Sequence, residues 1–225
     1  MASSFVEQIA NSGPQSTSRY SISTGVVQDN LNILSTGMVQ VRVSSLPAMQ
    51  LWCRVVSVGG GPSRGFMWLP QVDDEVLVAF NQNDERDAFL LGGLWNSEDR
   101  PPIGSPTDFM SKRIIKTGIS SAPGHTVEFD DALQSIKVTT STQQTLTMDV
   151  TKITLAAPQN ALSVTLDLGP PPAITIQSTA GNITLSAPAG KISIQGLSVE
   201  VTSTSTLDLN ATGPCSIQGL PVKIN

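Results

Sequence analysis

Two groups of neighbouring carboxylates, Asp73-Asp74-Glu75 and Asp130-Asp131, are the residues of this 225-residue chain best able to do acid–base chemistry. A carboxylate pair can cleave a glycosidic bond when one member donates a proton and the other acts as base or nucleophile. Both groups flank strand-like stretches, where acidic residues are ordinary turn formers, and solvated turns are the expected reading. The single histidine, His125, follows Pro123-Gly124 with no Cys or second His at ligand spacing, so neither metal binding nor proton transfer is expected of it. Gly59-Gly60-Gly61 lacks the Gly-Lys-Ser/Thr that completes a phosphate-binding loop and reads as a connection between strands. Cys53 and Cys215 lie far apart and outside any CxxC spacing. They read as free thiols of a reducing compartment, Cys215 as a small buried hydrophobe near the chain end. No catalytic residue, cofactor site or metal site is therefore expected.

The composition narrows the function classes further. Thirteen Lys plus Arg against eighteen Asp plus Glu give a net charge of -5, with no basic surface to neutralise a phosphate backbone, so nucleic acid is not an expected partner. Charged residues make up only 14% of the chain, which together with a mean hydropathy of +0.05 opposes a disordered polar chain. The start Met1 to Ala10 lacks a basic segment followed by an apolar stretch, and no apolar run approaches the ~18 residues of a membrane span. Folding in the cytoplasm is expected.

The elements that position these residues fall into two halves. Phe129 is the last aromatic residue, so the remainder must bury its surface without rings. Residues 1 to about 36 are rich in Ser, Thr, Asn and Gln and read as a lead-in, with an arm over 1–24. A barrel is placed at 25–96. Met38 to Val43 alternates, Leu51 to Val58 and Glu75 to Phe80 are apolar runs, and Gly59 to Pro62 and Asn81 to Asp84 supply turns. Four or five short strands in about sixty residues suggest a small closed barrel, the five-stranded case being the OB-fold. Trp52, Trp68, Phe80 and Trp95 are expected in its core, a base-stacking platform being disfavoured by the scarcity of positive charge. Pro101-Pro102, Pro106 and Pro123-Gly124 mark 97–125 as a linker.

From Thr126 the chain alternates aliphatic with Ser, Thr, Asn and Gln residues to its end, and Ile174, Ile183 and Ile192 open the same phrase at a period of nine. A five-residue strand plus a corner fills such a unit, and its apolar face is too narrow to stand alone in water. It must stack on copies of itself, within one chain as a solenoid or between chains as an intertwined prism. A single-chain triangular turn needs roughly 18 residues, leaving only a few turns. Three chains each giving one strand per layer instead make about ten layers, or roughly 50 Å. The expected axial core is Ile174, Ile176, Ile183, Leu185, Ile192, Ile194, Val199, Val201, Leu207 and Leu209, small enough for a narrow axis.

Four blocks in order, Gly37 to Val43, Trp52 to Val55, Gly65 to Phe80 and Leu91 to Asn96, resemble the OB domain of the phage baseplate assembly protein V and VgrG spike family. The ending, Ile217 to Asn225, is similar to the terminal phrase of that family's β-helix needles. The resemblance implies an all-β chain, an N-terminal OB-fold barrel followed by a C-terminal trimeric β-helix needle over 126–225. It implies a homotrimeric, non-enzymatic spike in a phage tail, type VI secretion or extracellular contractile injection system, driven against a target membrane when the sheath contracts. Asp73 replaces the family's usual Gly in the turn before Asp74-Glu75, a change in turn chemistry that spares the strand. The family's VgrG members carry a hub before the barrel, whereas only about 36 residues precede it here, so the hub is expected to be a separate trimeric protein. Some phage spikes of the family end in a His-x-His iron apex, for which this chain lacks the histidines. Its apolar end, Leu220, Pro221, Val222 and Ile224, is expected to receive a PAAR-type tip protein. The alternatives are a β-helical tail-associated polysaccharide depolymerase, which needs a groove of convergent carboxylates, and a nucleic-acid-binding OB protein.

Overall fold

The computed structural model describes residues 22–82, 84–119 and 121–223. The expected arm over 1–24 lies almost wholly outside them, and Ile224 lies outside them as well. Two compact units divide the chain, residues 1–179 and 180–225.

The first unit opens with a closed five-stranded barrel. Its strands are β1 (Ile22–Asp29), β2 (Met38–Val43), β3 (Gln50–Val55), β4 (Glu75–Asn81) and β5 (Asp84–Gly93), hydrogen-bonded in the order β1-β2-β3-β5-β4, with β4 returning to β1. All pairs are antiparallel except β3 with β5. A single helical turn, α1 (Ile33–Thr36), joins β1 to β2 and closes on Gly37, whose φ of +70° suits glycine. In β2 and β4 every second side chain is inward: Val39, Val41 and Val43, then Val76, Val78 and Phe80. With Val27, Leu51, Cys53, Ala88 and Leu90 they form the barrel interior. Small β-branched residues fill such an interior because they fit a pleated wall and a narrow bore.

Three of the four rings expected in the core lie outside it. Phe80 is buried, but Trp52 is 38%, Trp68 48% and Trp95 71% exposed. The reason for Trp52 is the period of a strand. Leu51 and Cys53 take the inward positions of β3, which turns the residue between them outward. Trp68 and Trp95 stand on the β3–β4 connection and just past β5, where no strand aims them inward.

The second half of the unit is a seven-stranded antiparallel meander: β6 (Lys112–Lys116), β7 (Thr126–Asp130), β8 (Ser135–Thr139), β9 (Thr145–Met148), β10 (Lys152–Ala156), β11 (Leu162–Asp167) and β12 (Ala173–Ser178). A helical turn, α2 (Asp108–Ser111), leads into β6. Both lie inside the stretch read as linker. The Lys-Arg-Ile-Ile-Lys sequence of β6 does not alternate, yet the strand pairs with β7 from Lys112↔Asp130 to Lys116↔Thr126. The barrel likewise begins at Ile22, earlier than its expected limit at 25.

The second unit, described from 180 to 223, contains no hydrogen-bonded strand within the single chain.

Candidate functional site

The carboxylates stand where turn chemistry puts them. Asp73 has φ +75°, and its N–H donates to the Val27 carbonyl at 3.0 Å. Asp74 accepts the Gln71 N–H through Oδ2 at 2.7 Å, while Glu75 opens β4 and accepts from the Asn96 side chain at 2.9 Å. Asp130 is buried at the end of β7. Its Oδ1 accepts the N–H groups of Ala132 and Leu133, both at 3.1 Å, and its Oδ2 lies 3.6 Å from Lys112 Nζ. Lys112 also meets Glu128 at 3.2 Å, and this hydrogen bond is the main cause of its raised pKa. The carboxylates of Asp74 and Asp130 thus fasten the backbone of their turns, while that of Glu75 holds the Asn96 side chain.

His125 is held by the same kind of backbone bonding. Its N–H donates to Thr117 Oγ1 at 2.8 Å and its Nδ1 accepts the Ser141 N–H at 3.3 Å. Gly61 pairs with Arg64 in a tight turn. Cys53 is fully buried, and burial pushes its thiol up to about 11, whereas Cys215 is exposed in the single chain. No group of three or more His, Cys, Asp or Glu side chains suited to a metal ion occurs among the described residues.

The surface of the meander carries a further feature. The meander brings aliphatic side chains into register across all seven strands. Ile115, Val127, Val138, Leu146, Leu155, Val164 and Ile176 are successive direct partners and form one row. Two residues away, Phe129, Ile136, Met148, Ile153, Leu166 and Ile174 form a second row, which begins at Arg113. Positions two apart on a strand share a face, so the sheet carries an apolar stripe two side chains wide. The opposite face runs Glu128, Lys137, Thr147, Thr154, Thr165 and Thr175. The stripe is open to solvent in the single chain: Leu155 and Ile176 are each 55% exposed and Ile174 is 74% exposed. No signal in composition or local spacing marked this register, because it depends on hairpin lengths between strands.

Among the expected axial residues, Ile174 and Ile176 stand in this stripe. The others lie in the second unit, and Ile183, Leu185, Ile192, Ile194, Val199, Val201, Leu207 and Leu209 are all exposed in the single chain. The expected tip residues Leu220 and Val222 are exposed as well. Around the barrel, Phe66 and Trp68 stack nearly parallel with centroids 5.8 Å apart. Arg54 lies over the Phe89 ring at 4.3 Å and pairs with Asp87 at 2.5 Å, tying β3 to β5 on the outer wall.

Residues 23–95, which coincide with the barrel, match the family model of the type VI secretion system/phage-baseplate injector OB domain. Over 73 residues the chain is 37% identical to the type VI secretion system spike protein VgrG5 of Pseudomonas aeruginosa, covering 32% of this chain and 9% of that protein. The chain thus spans less than a tenth of the length of this relative. The likeness supports an injector-type barrel and a relation to spike proteins. No helix among the described residues is long and apolar enough to cross a membrane.

Proposed function

We propose that this chain is the structural, homotrimeric spike of a contractile injection machine, and that its role is mechanical. The barrel faces a separate trimeric hub, and residues 126–225 form the trimeric β-helix needle whose end receives a PAAR-type tip protein. Sheath contraction drives this assembly through the target envelope. The observation that carries the reading is the joining of an injector-type barrel to a sheet whose continuous apolar stripe stays half-buried to exposed in the single chain. The same need recurs in the second unit, where residues 180–223 form no strand ladder with any described residue. Three copies satisfy both requirements: the stripes meet along an axis and the extended segments pair between chains. Opening one copy would then expose unpaired edges in two others, which gives the slow unfolding a load-bearing needle requires.

Sedimentation velocity on the purified full chain tests the trimer. A species of about 71 kDa, three times the 23.7 kDa chain, with a high frictional ratio supports it. A compact monomer overturns it. The tip assignment is tested by co-purification with an encoded PAAR protein, with and without residues 220–225, and binding that survives the truncation removes those residues from the interface.

A further inference from the structure

The apolar stripe does not stop at the edge of the sheet. β6 is the terminal strand, so one side of its backbone has no sheet neighbour among the described residues. Ile115, the first member of the aliphatic row, also lines a cavity of about 560 Å³ walled by Phe66, Trp68 and Trp95. These rings are 54%, 48% and 71% exposed, an unusual concentration of large aromatic surface for a barrel whose own interior holds a single ring, Phe80. Tryptophan set in a concave apolar site is a common anchor of protein interfaces.

We propose that this aromatic groove receives the adjacent copy of the same chain, so that the contact between copies extends from the sheet up to the barrel. The proposal rests on the trimeric reading and names where the barrels join it. Three observations select a second copy as the occupant. Ile115 belongs to both the row and the groove, so a copy that covers the row arrives at the mouth of the groove. Among the described residues Lys116 is the only charged one on the groove wall, so the complementary surface is apolar, as the stripe itself is. A three-fold ring is built from heterologous contacts, in which each copy offers one surface to one neighbour and a different surface to the other. A groove beside an open strand edge supplies one of the two, and its occupation also covers an edge that would otherwise invite unspecific pairing.

The test uses the full chain with p-benzoylphenylalanine in place of Trp95, irradiated and run on a denaturing gel, beside sedimentation of the same sample. A second variant, Trp52→Phe with Trp68→Phe, leaves Trp95 as the sole indole for acrylamide quenching. The expected result is a trimer, an irradiation-dependent dimer band, and quenching several-fold weaker than in the urea-unfolded chain. A trimer in which Trp95 is quenched as freely as in the unfolded chain and forms no cross-link overturns the groove assignment while leaving the trimer intact. A protected Trp95 that cross-links only within its own chain also overturns it, because residues of the same copy then fill the groove. A monomer by sedimentation overturns the trimeric reading and this proposal with it.

Discussion

Gly25 is the point at which the barrel has no room, and Gly25→Ala measures how tightly its wall is packed. The residue sits on β1 where that strand pairs with β2 on one side and β4 on the other, opposite Val43 and Val76. An added Cβ would lie 2.6 Å from Val41 Cγ1, 3.0 Å from the Arg42 carbonyl oxygen and 3.3 Å from Val43 Cα. Carbon atoms rest at about 3.5–4.0 Å, so the methyl overlaps Val41 by roughly 1 Å. Val41 is fully buried and β-branched, with little rotamer freedom to retreat, and the other two contacts are backbone. Overpacking of this kind costs about 1–3 kcal/mol. Replacing Gly by Ala in a strand returns about 0.5–1 kcal/mol through the unfolded chain. The net expectation is a loss of about 0.5–2 kcal/mol. The double variant Gly25→Ala with Val41→Ala removes the clashing methyl and should be less destabilised than the sum of the two by about 1 kcal/mol. Urea unfolding followed by tryptophan emission reads this directly, because all three tryptophans, Trp52, Trp68 and Trp95, lie on the barrel or its loops. Equal stability of Gly25→Ala and the parent, or strict additivity in the double variant, would refute the packing argument.

Further expectations concern the surfaces and the titrating groups. Leu146 and Thr147 are neighbours on β9 and face opposite ways, so Leu146→Asp should leave a monomer by sedimentation while Thr147→Asp stays trimeric; equal behaviour would show that the stripe is not the interface. Cys53 should resist iodoacetamide in the folded chain and react once urea unfolds the barrel. Because its folded pKa is raised to about 11 by burial, the folded state holds a proton that the unfolded thiol loses above about pH 9. Barrel stability should therefore fall from pH 9 towards 11, and Cys53→Ala should flatten that slope. Asp87 is lowered below its ordinary 3.8 by the Asn81 hydrogen bond and then by Arg54, so its contribution is present above that value and is lost as the pH falls through the lower folded value. Asp87→Asn should remove that part of the acid limb, checked by the same emission assay between pH 5 and 2.

Much of the barrel was legible because its strands keep the period of two. Met38–Val43 stands where the alternation places it and Glu75–Asn81 where the apolar run Glu75 to Phe80 does, and the turns fall at the glycine- and asparagine-rich stretches between runs. β1 was hidden by its Ser, Thr and Gly content, since its inward positions are Gly25 and Val27, one of which has no side chain. Treating aromatic residues as core failed at Trp52, Trp68 and Trp95 because a narrow bore filled by valines leaves no room for indoles. β6 was hidden by a sequence that reads as charged ends around two isoleucines, whose strand character comes from pairing with β7. The nine-residue phrase at Ile174, Ile183 and Ile192 spans two units: Ile174 lies in β12, and the later two copies form no strand within one chain. Their partners are, on the proposed reading, in other copies, which is information a single chain does not carry.

The meander of β6 to β12 also sets an order of events for a chain leaving the ribosome. Each of its strands pairs only with its neighbours in sequence, so every hairpin closes a short loop and can form in microseconds once both strands have emerged. The barrel must instead bring Ile22 to Ala79 before β1 meets β4, a longer closure that slows folding. Residues 180–223 form no strand inside their own copy, so on the proposed trimeric reading they wait for other copies to arrive. On that reading, formation of the last segment would be second or third order in chain concentration, while the sheet forms at a rate independent of it. Polysomes, which hold several nascent copies close together, would be the natural place for the slow step to be completed.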